Sequence, residues 1–243
     1  MSRWKKNITE VDLDVIYFEF EKSDSGVREV FVWDYDKTYI ESNPETFRGF
    51  IKAAIEPVSK KQTVAGVKDK LNKVISDWRE HNPNLDFPLY FVTASPPQAV
   101  EKIHQKIKLD GFNPLGIYCK NNLRNFKPKR WEMIYNHIGY KLQSFLKIAV
   151  MYKGQARLSL WGDNSEHDYL VFSLFSDCTS GRLSLEDLKS QLLSHNVNPR
   201  QIEKIASLRS QLPADNDLLK AAYIRKVKPN RVLPEKENFY FHN

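Results

Sequence analysis

Val30-Phe-Val-Trp-Asp34-Tyr-Asp36-Lys-Thr38 is an apolar run of strand character that ends in two carboxylates two residues apart, with a hydroxyl two further on. Side chains alternate along a strand, so Asp34 and Asp36 start on the same face. At the end of a parallel strand they are expected to converge on one point. Crowded carboxylates repel unless a cation lies between them or one keeps its proton, and either solution is chemistry. The competing reading is a strand that closes in a polar, Asp-rich turn.

On the N-terminal side, residues 11–20 alternate as one strand. The turn-like stretch 22–26 then leads back toward Asp34, which predicts a hairpin or two neighbouring strands. On the C-terminal side, residues 43–66 carry little pattern and read as a small insertion over the site. Val67, Leu71, Val74, Ile75 and Trp78 share one face of an amphipathic helix over 67–80, closed off by Pro83 and Pro88. Leu89 to Thr93 is a buried strand that runs into Ala94-Ser95-Pro96-Pro97 and a helix through Val100, Ile103 and Ile107 to Gly111. Ser95 is the expected N-cap, with proline tolerated in the first turn. A helix start after a strand is a ready anion site, although a capped helix without a ligand is commoner.

Further along, Gly116 to Cys119 reads as a short strand, and a helical pattern from about Trp131 to Met151 carries Lys141. Arg157 to Asp163 is another strand ending in a carboxylate, followed by Asp168 and an apolar helix from Tyr169 to Phe175. Residues 184–212 read as two polar helices, capped by Ser184 and opened by Pro199. A strand over 222–227 and a basic, aromatic tail complete the chain. Strands alternating with helices predict an α/β fold with a mainly parallel sheet. Ligands of such sheets bind beyond the carboxyl ends of the strands, where Asp34, Thr93 and Asp163 fall.

The bulk properties narrow the partners. No apolar run approaches the roughly 20 residues that cross a bilayer, and Met1-Ser-Arg-Trp-Lys-Lys6 does not open a signal peptide. The expectation is a cytoplasmic protein, at most peripheral to a membrane. Cys119 and Cys178 stand far apart without ligand-spaced neighbours, which predicts buried free thiols rather than a disulfide framework or zinc site. A formal net charge of +7 fits an anionic substrate, nucleic acid or an acidic membrane surface. The basic runs 120–130 and 225–231 could hold a lipid surface or a nucleic acid, or be solvated faces.

Asp34/Asp36/Thr38, Thr93, Lys141 and Gly162-Asp163…Asp168 resemble, in order, the four motifs of the haloacid dehalogenase superfamily of phosphotransferases. Val92-Thr-Ala-Ser-Pro96, Lys141-Leu142, the Gly162–Asp168 stretch and Tyr223-Ile-Arg225 look most like the catalytic domain of the actin-patch-associated phosphatidate phosphatases, over about residues 29–228. Tyr35, Lys37 and Ala94 depart from that pattern, and Lys153 is a rival to Lys141. The resemblance implies one Rossmann-like catalytic domain with a core at about 29–178 and 219–228. It further implies a small cap at 43–66 or none, a helical insertion at 179–218 and a basic tail at 229–243.

The implied activity is magnesium-dependent hydrolysis of a phosphomonoester through an aspartyl-phosphate. Asp34 would be the nucleophile and Asp36 the general acid and base, held by Thr38. Magnesium would lie on Asp34, the Asp36 carbonyl and Asp163. Thr93, Ala94, Ser95 and Lys141 would bind phosphate, and Asp168 would orient Lys141 or a metal-bound water. The family-implied substrate is a lipid phosphate such as phosphatidate. The alternatives are a nucleic-acid or nucleotide end phosphatase, and a non-catalytic anion-binding protein.

Overall fold

The strand that carries Asp34, β3 (Glu29–Asp34), alternates two kinds of side chain that bury on opposite sides. Val30 and Val32 enter one apolar core, while Phe31 and Trp33 enter another. Such a strand needs cover on both faces, and burying each large side chain contributes about 1.5–3 kcal/mol. In the computed structural model, which describes residues 8–12, 14–22, 24, 26–41, 57–58, 61–121, 137–165 and 167–242, that cover is a three-layer α/β architecture.

Around β3 the sheet comprises β1 (Glu10–Asp12), β2 (Val15–Glu19), β4 (Leu89–Thr93), β5 (Gly116–Lys120), β6 (Arg157–Asp163), β7 (Leu219–Arg225) and β8 (Phe239–His242). Their spatial order is β1-β2-β5-β4-β3-β6-β7-β8. From β5 to β8 neighbouring strands are parallel, and only the β1–β2 and β2–β5 pairings toward one edge are antiparallel. The chain places β4 and β5 to one side of β3, then crosses to place β6 and β7 on the other. The crevice beyond such a reversal point is where open α/β sheets bind ligands.

One face is covered by α1 (Val67–His81) and α2 (Val100–Leu109), through Val67, Leu71, Trp78, Val100, Ile103 and Ile107. The other is covered by α3 (Ile138–Met151) and α4 (Asp168–Thr179). Against them pack α5 (Leu185–Ser194) and α6 (Pro199–Arg209), both from the stretch read as a helical insertion. Ser184 accepts the Asp187 N–H and Asn198 accepts the Arg200 N–H, so both helices start on side-chain caps. Among the described residues no helix is long and apolar enough to cross a membrane.

Several expectations change. The strand over 11–20 is instead a hairpin, with Asp12 opposite Val15, and β2 pairs with β5 rather than with the Asp34 strand. Both edges of β3 are already taken by β4 and β6. Ser95 caps nothing: the helix begins as a 3₁₀ turn at Pro97–Ala99, where Pro96 is the boundary residue. Pro96 and Pro97 have no N–H to donate, so a cap at Ser95 would keep only the Gln98 N–H as a partner, and the anion site expected at this helix start loses donors for the same reason. The long helix is described from Ile138, and Trp131 to Asn136 lie outside the described residues. So do residues 43–56 and 59–60 of the expected cap, and the basic run beyond Asn121. The expected tail, by contrast, ends in β8, a parallel edge strand on β7.

Candidate active site

Lys141 stands in the first turn of α3 with its side chain 1 % exposed. Burying an ammonium is tolerable only against negative charge, and two carboxylates pair with it. Its Nζ lies 2.8 Å from Asp34 Oδ1, at the tip of β3. It also donates to Asp168 Oδ1, from the first residue of α4. Asp168 Oδ2 in turn accepts the Asp163 N–H at 2.9 Å. Carboxylate oxygens of Asp34, Asp163 and Asp168 all lie within 4.8 Å of one another.

The local sequence makes this crowding possible. Gly162 lets Asp168 pack flat on β6, since a Cβ there would lie 2.7 Å from Asp168 Cβ and Cγ. Asp163 Oδ1 accepts the Ser165 N–H, closing a tight turn past the strand. Asp163 Oδ2 is buried and has no hydrogen-bond partner among the described residues. A buried carboxylate oxygen left so is costly, and a hard cation would satisfy it. An all-oxygen donor set suits magnesium.

Asp36 does not join this cluster. Its Oδ2 accepts a hydrogen bond from Thr93 Oγ1 at 2.7 Å, with the Ser95 hydroxyl at 3.5 Å. Asp34 is thus held by Lys141 of α3, and Asp36 by the end of β4. Strand alternation stops at Asp34, and the chain then turns through Lys37, which holds a left-handed φ of 62°. Thr38 Oγ1 is buried without a hydrogen-bond partner among the described residues, so the role expected of it falls to Thr93. Thr93 itself accepts the Ser95 N–H at 3.0 Å.

The surroundings of the two acids differ in kind. An ammonium at 2.8 Å stabilises an ionised Asp34. Asp36 accepts from two hydroxyls, and the buried Cys119 and Tyr35 lie close enough to feel its charge. Burial first, and the Asp36 charge second, push the Cys119 thiol and the Tyr35 hydroxyl well above their ordinary range.

Lys153 sits beyond the far end of α3, twelve residues from Lys141 and so about 18 Å along the helix axis. It takes no part in the cluster. Two positioning groups escaped the sequence reading. Arg225, read as part of a strand motif and as the start of the basic run 225–231, donates to the Lys37 carbonyl at 2.7 Å. Asn164 binds the chain after β7 on four counts: its Nδ2 donates to the Lys228 carbonyl, its Oδ1 accepts the Val227 and Lys228 N–H groups, and its carbonyl accepts from Arg231. An Asn after a strand-end Asp is a turn signal, but nothing local names its distant partners.

No family model, curated protein or solved structure matches this chain.

Proposed function

We propose that the protein hydrolyses phosphomonoesters through a covalent aspartyl-phosphate. The reading is carried by one observation: three buried carboxylates, Asp34, Asp163 and Asp168, lie within 4.8 Å of one another at the reversal point of the sheet, and the Lys141 ammonium is paired with two of them. A phosphomonoester resists attack because its own charge repels nucleophiles. A carboxylate already held against fixed positive charge is a suitable nucleophile for it.

Asp34 attacks phosphorus, forming the acyl-phosphate bond as the bond to the leaving oxygen breaks. Asp36, positioned by Thr93, gives its proton to that oxygen and then takes one from the water that cleaves the acyl-phosphate. Lys141 offsets charge on the phosphoryl oxygens, and Asp168 fixes where its ammonium points. Asp34 and Asp163 Oδ2, which has no hydrogen-bond partner among the described residues, are the groups that would hold magnesium, together with the Asp36 carbonyl. When bound, the ion supplies further neutralisation of phosphoryl charge.

The test is hydrolysis of a generic aryl phosphate with magnesium and after exhaustive chelation. The expected loss is on the order of a hundredfold or more, restored by magnesium. An undiminished rate after chelation would contradict the metal-dependent reading, and no hydrolysis under any condition would leave a non-catalytic anion-binding protein.

A further inference from the structure

Trp33 on β3, Trp161 on β6, Tyr223 on β7 and Tyr240 on β8 occupy neighbouring positions in register across four strands. Their rings form a continuous stack, with centroid spacings of 4.8, 4.6 and 5.4 Å and interplanar angles of 7°, 16° and 25°. The stack climbs from core to solvent: Trp33 is 1 % exposed, Trp161 3 % and Tyr240 52 %. Because β8 is the last strand of the sheet, Tyr240 has one ring face on Tyr223 and the other turned off the edge.

The chain beside that ring is strongly basic. Arg225-Lys-Val-Lys-Pro-Asn-Arg231 holds four cations and no acid. The Lys226 N–H donates to the His242 carbonyl at 2.7 Å, which places the run at the end of β8. Lys226, Lys228 and Arg231 are exposed. Of the nearby acids, Glu41 is bound to Arg225, while Glu235 and Glu237 lie on the run leading into β8. Asn164 fixes this segment to the turn that carries Asp163, so the basic lip and the candidate site move as one piece.

We propose that this edge binds a single-stranded nucleic acid, with one base extending the ring stack on Tyr240 and backbone phosphates on Lys226, Lys228 and Arg231. A terminal phosphate of that strand is then the group delivered to Asp34, a clause that rests on the phosphatase reading. An open aromatic face beside a cationic track is what sequence-tolerant strand binding requires. A lipid surface is held by a broad apolar face of several large side chains, and among the described residues the lip adds to Tyr240 two small ones, Val227 at 38 % and Val232 at 92 % exposure.

The test is fluorescence anisotropy of the full chain with a labelled dodecathymidylate carrying a 5′- or 3′-phosphate, at two salt concentrations. Binding is also measured on Asp34→Asn so that turnover does not intrude. Tyr240→Ala should weaken binding about tenfold or more and Tyr240→Phe about twofold or less. Lys226→Glu with Lys228→Glu should flatten the salt dependence by about 0.7 for each phosphate no longer held. All three should hydrolyse an aryl phosphate like the parent. Equal binding by parent and variants would overturn the proposal, as would failure to bind the oligonucleotide together with co-sedimentation on phosphatidylserine vesicles. Tyr240-dependent binding in a chain that cleaves no phosphate would uphold the edge and remove the delivery to Asp34.

Discussion

Arg225 joins the two loops that bear the acids. Its guanidinium holds the Lys37 carbonyl at 2.7 Å, and its own carbonyl accepts the Asn164 N–H at 3.0 Å. Arg225→Gln is expected to cut aryl phosphate turnover about 10–100-fold with an unchanged circular dichroism spectrum, because a shift of about 1 Å in a reacting group costs that much. Unaltered turnover would show that the loop holds its shape without it. Asp34, Lys141, Asp163 and Asp168 are each marked in the sequence by their place after a strand or early on a helix, and the structure brings their side chains together. That Thr93 rather than Thr38 would hold Asp36 was not legible, because it follows from where alternation stops and from a left-handed Lys37. A non-glycine residue gives no warning of that conformation.

The loop after β3 is also clamped at the level of elements, by the C-terminal end of α2. Asp110 accepts hydrogen bonds from Tyr39 at 2.9 Å, Thr63 at 2.8 Å and Lys106 at 2.7 Å. Burial opposes its charged form, and those hydrogen bonds outweigh burial, holding the carboxyl below its ordinary value. A lowered folded-state value means stability that is present above the ordinary aspartate range and lost as pH falls through it. Asp110→Asn should therefore cost about 1–3 kcal/mol at neutral pH in denaturant titrations, and the gap to the parent should narrow below about pH 4. A gap that stays constant into acid would place the contribution elsewhere. On β6, Gly162→Ala must push Asp168 aside and should cost about 1–3 kcal/mol together with activity. Strong periodicity made β3, β4, β6, α1 and the α5–α6 pair readable. The hairpin that joins β1 to β2 was not, because the residues from Val11 to Phe20 keep a strand-like pattern straight through it.

At the scale of the whole molecule, parallel order and three layers followed from alternating strands and helices, while the position of β2 beside β5 did not. Strand order depends on which edges are already occupied, and no local pattern records that. The two cores enclose Cys119 and Cys178 completely. Burial pushes the Cys178 thiol up to about 12 and Cys119 higher still. Neither thiol is therefore expected to react with an aromatic disulfide reagent at pH 8 until denaturant exposes both; rapid reaction of the native protein would mean that one core opens. The account as a whole rests on Asp34 as the group that takes the phosphoryl unit, and Asp34→Asn reports on it most directly. With melting temperature close to the parent, this variant is predicted to lose aryl phosphate hydrolysis by about a thousandfold or more. Hydrolysis by the folded variant at the parental rate would contradict it.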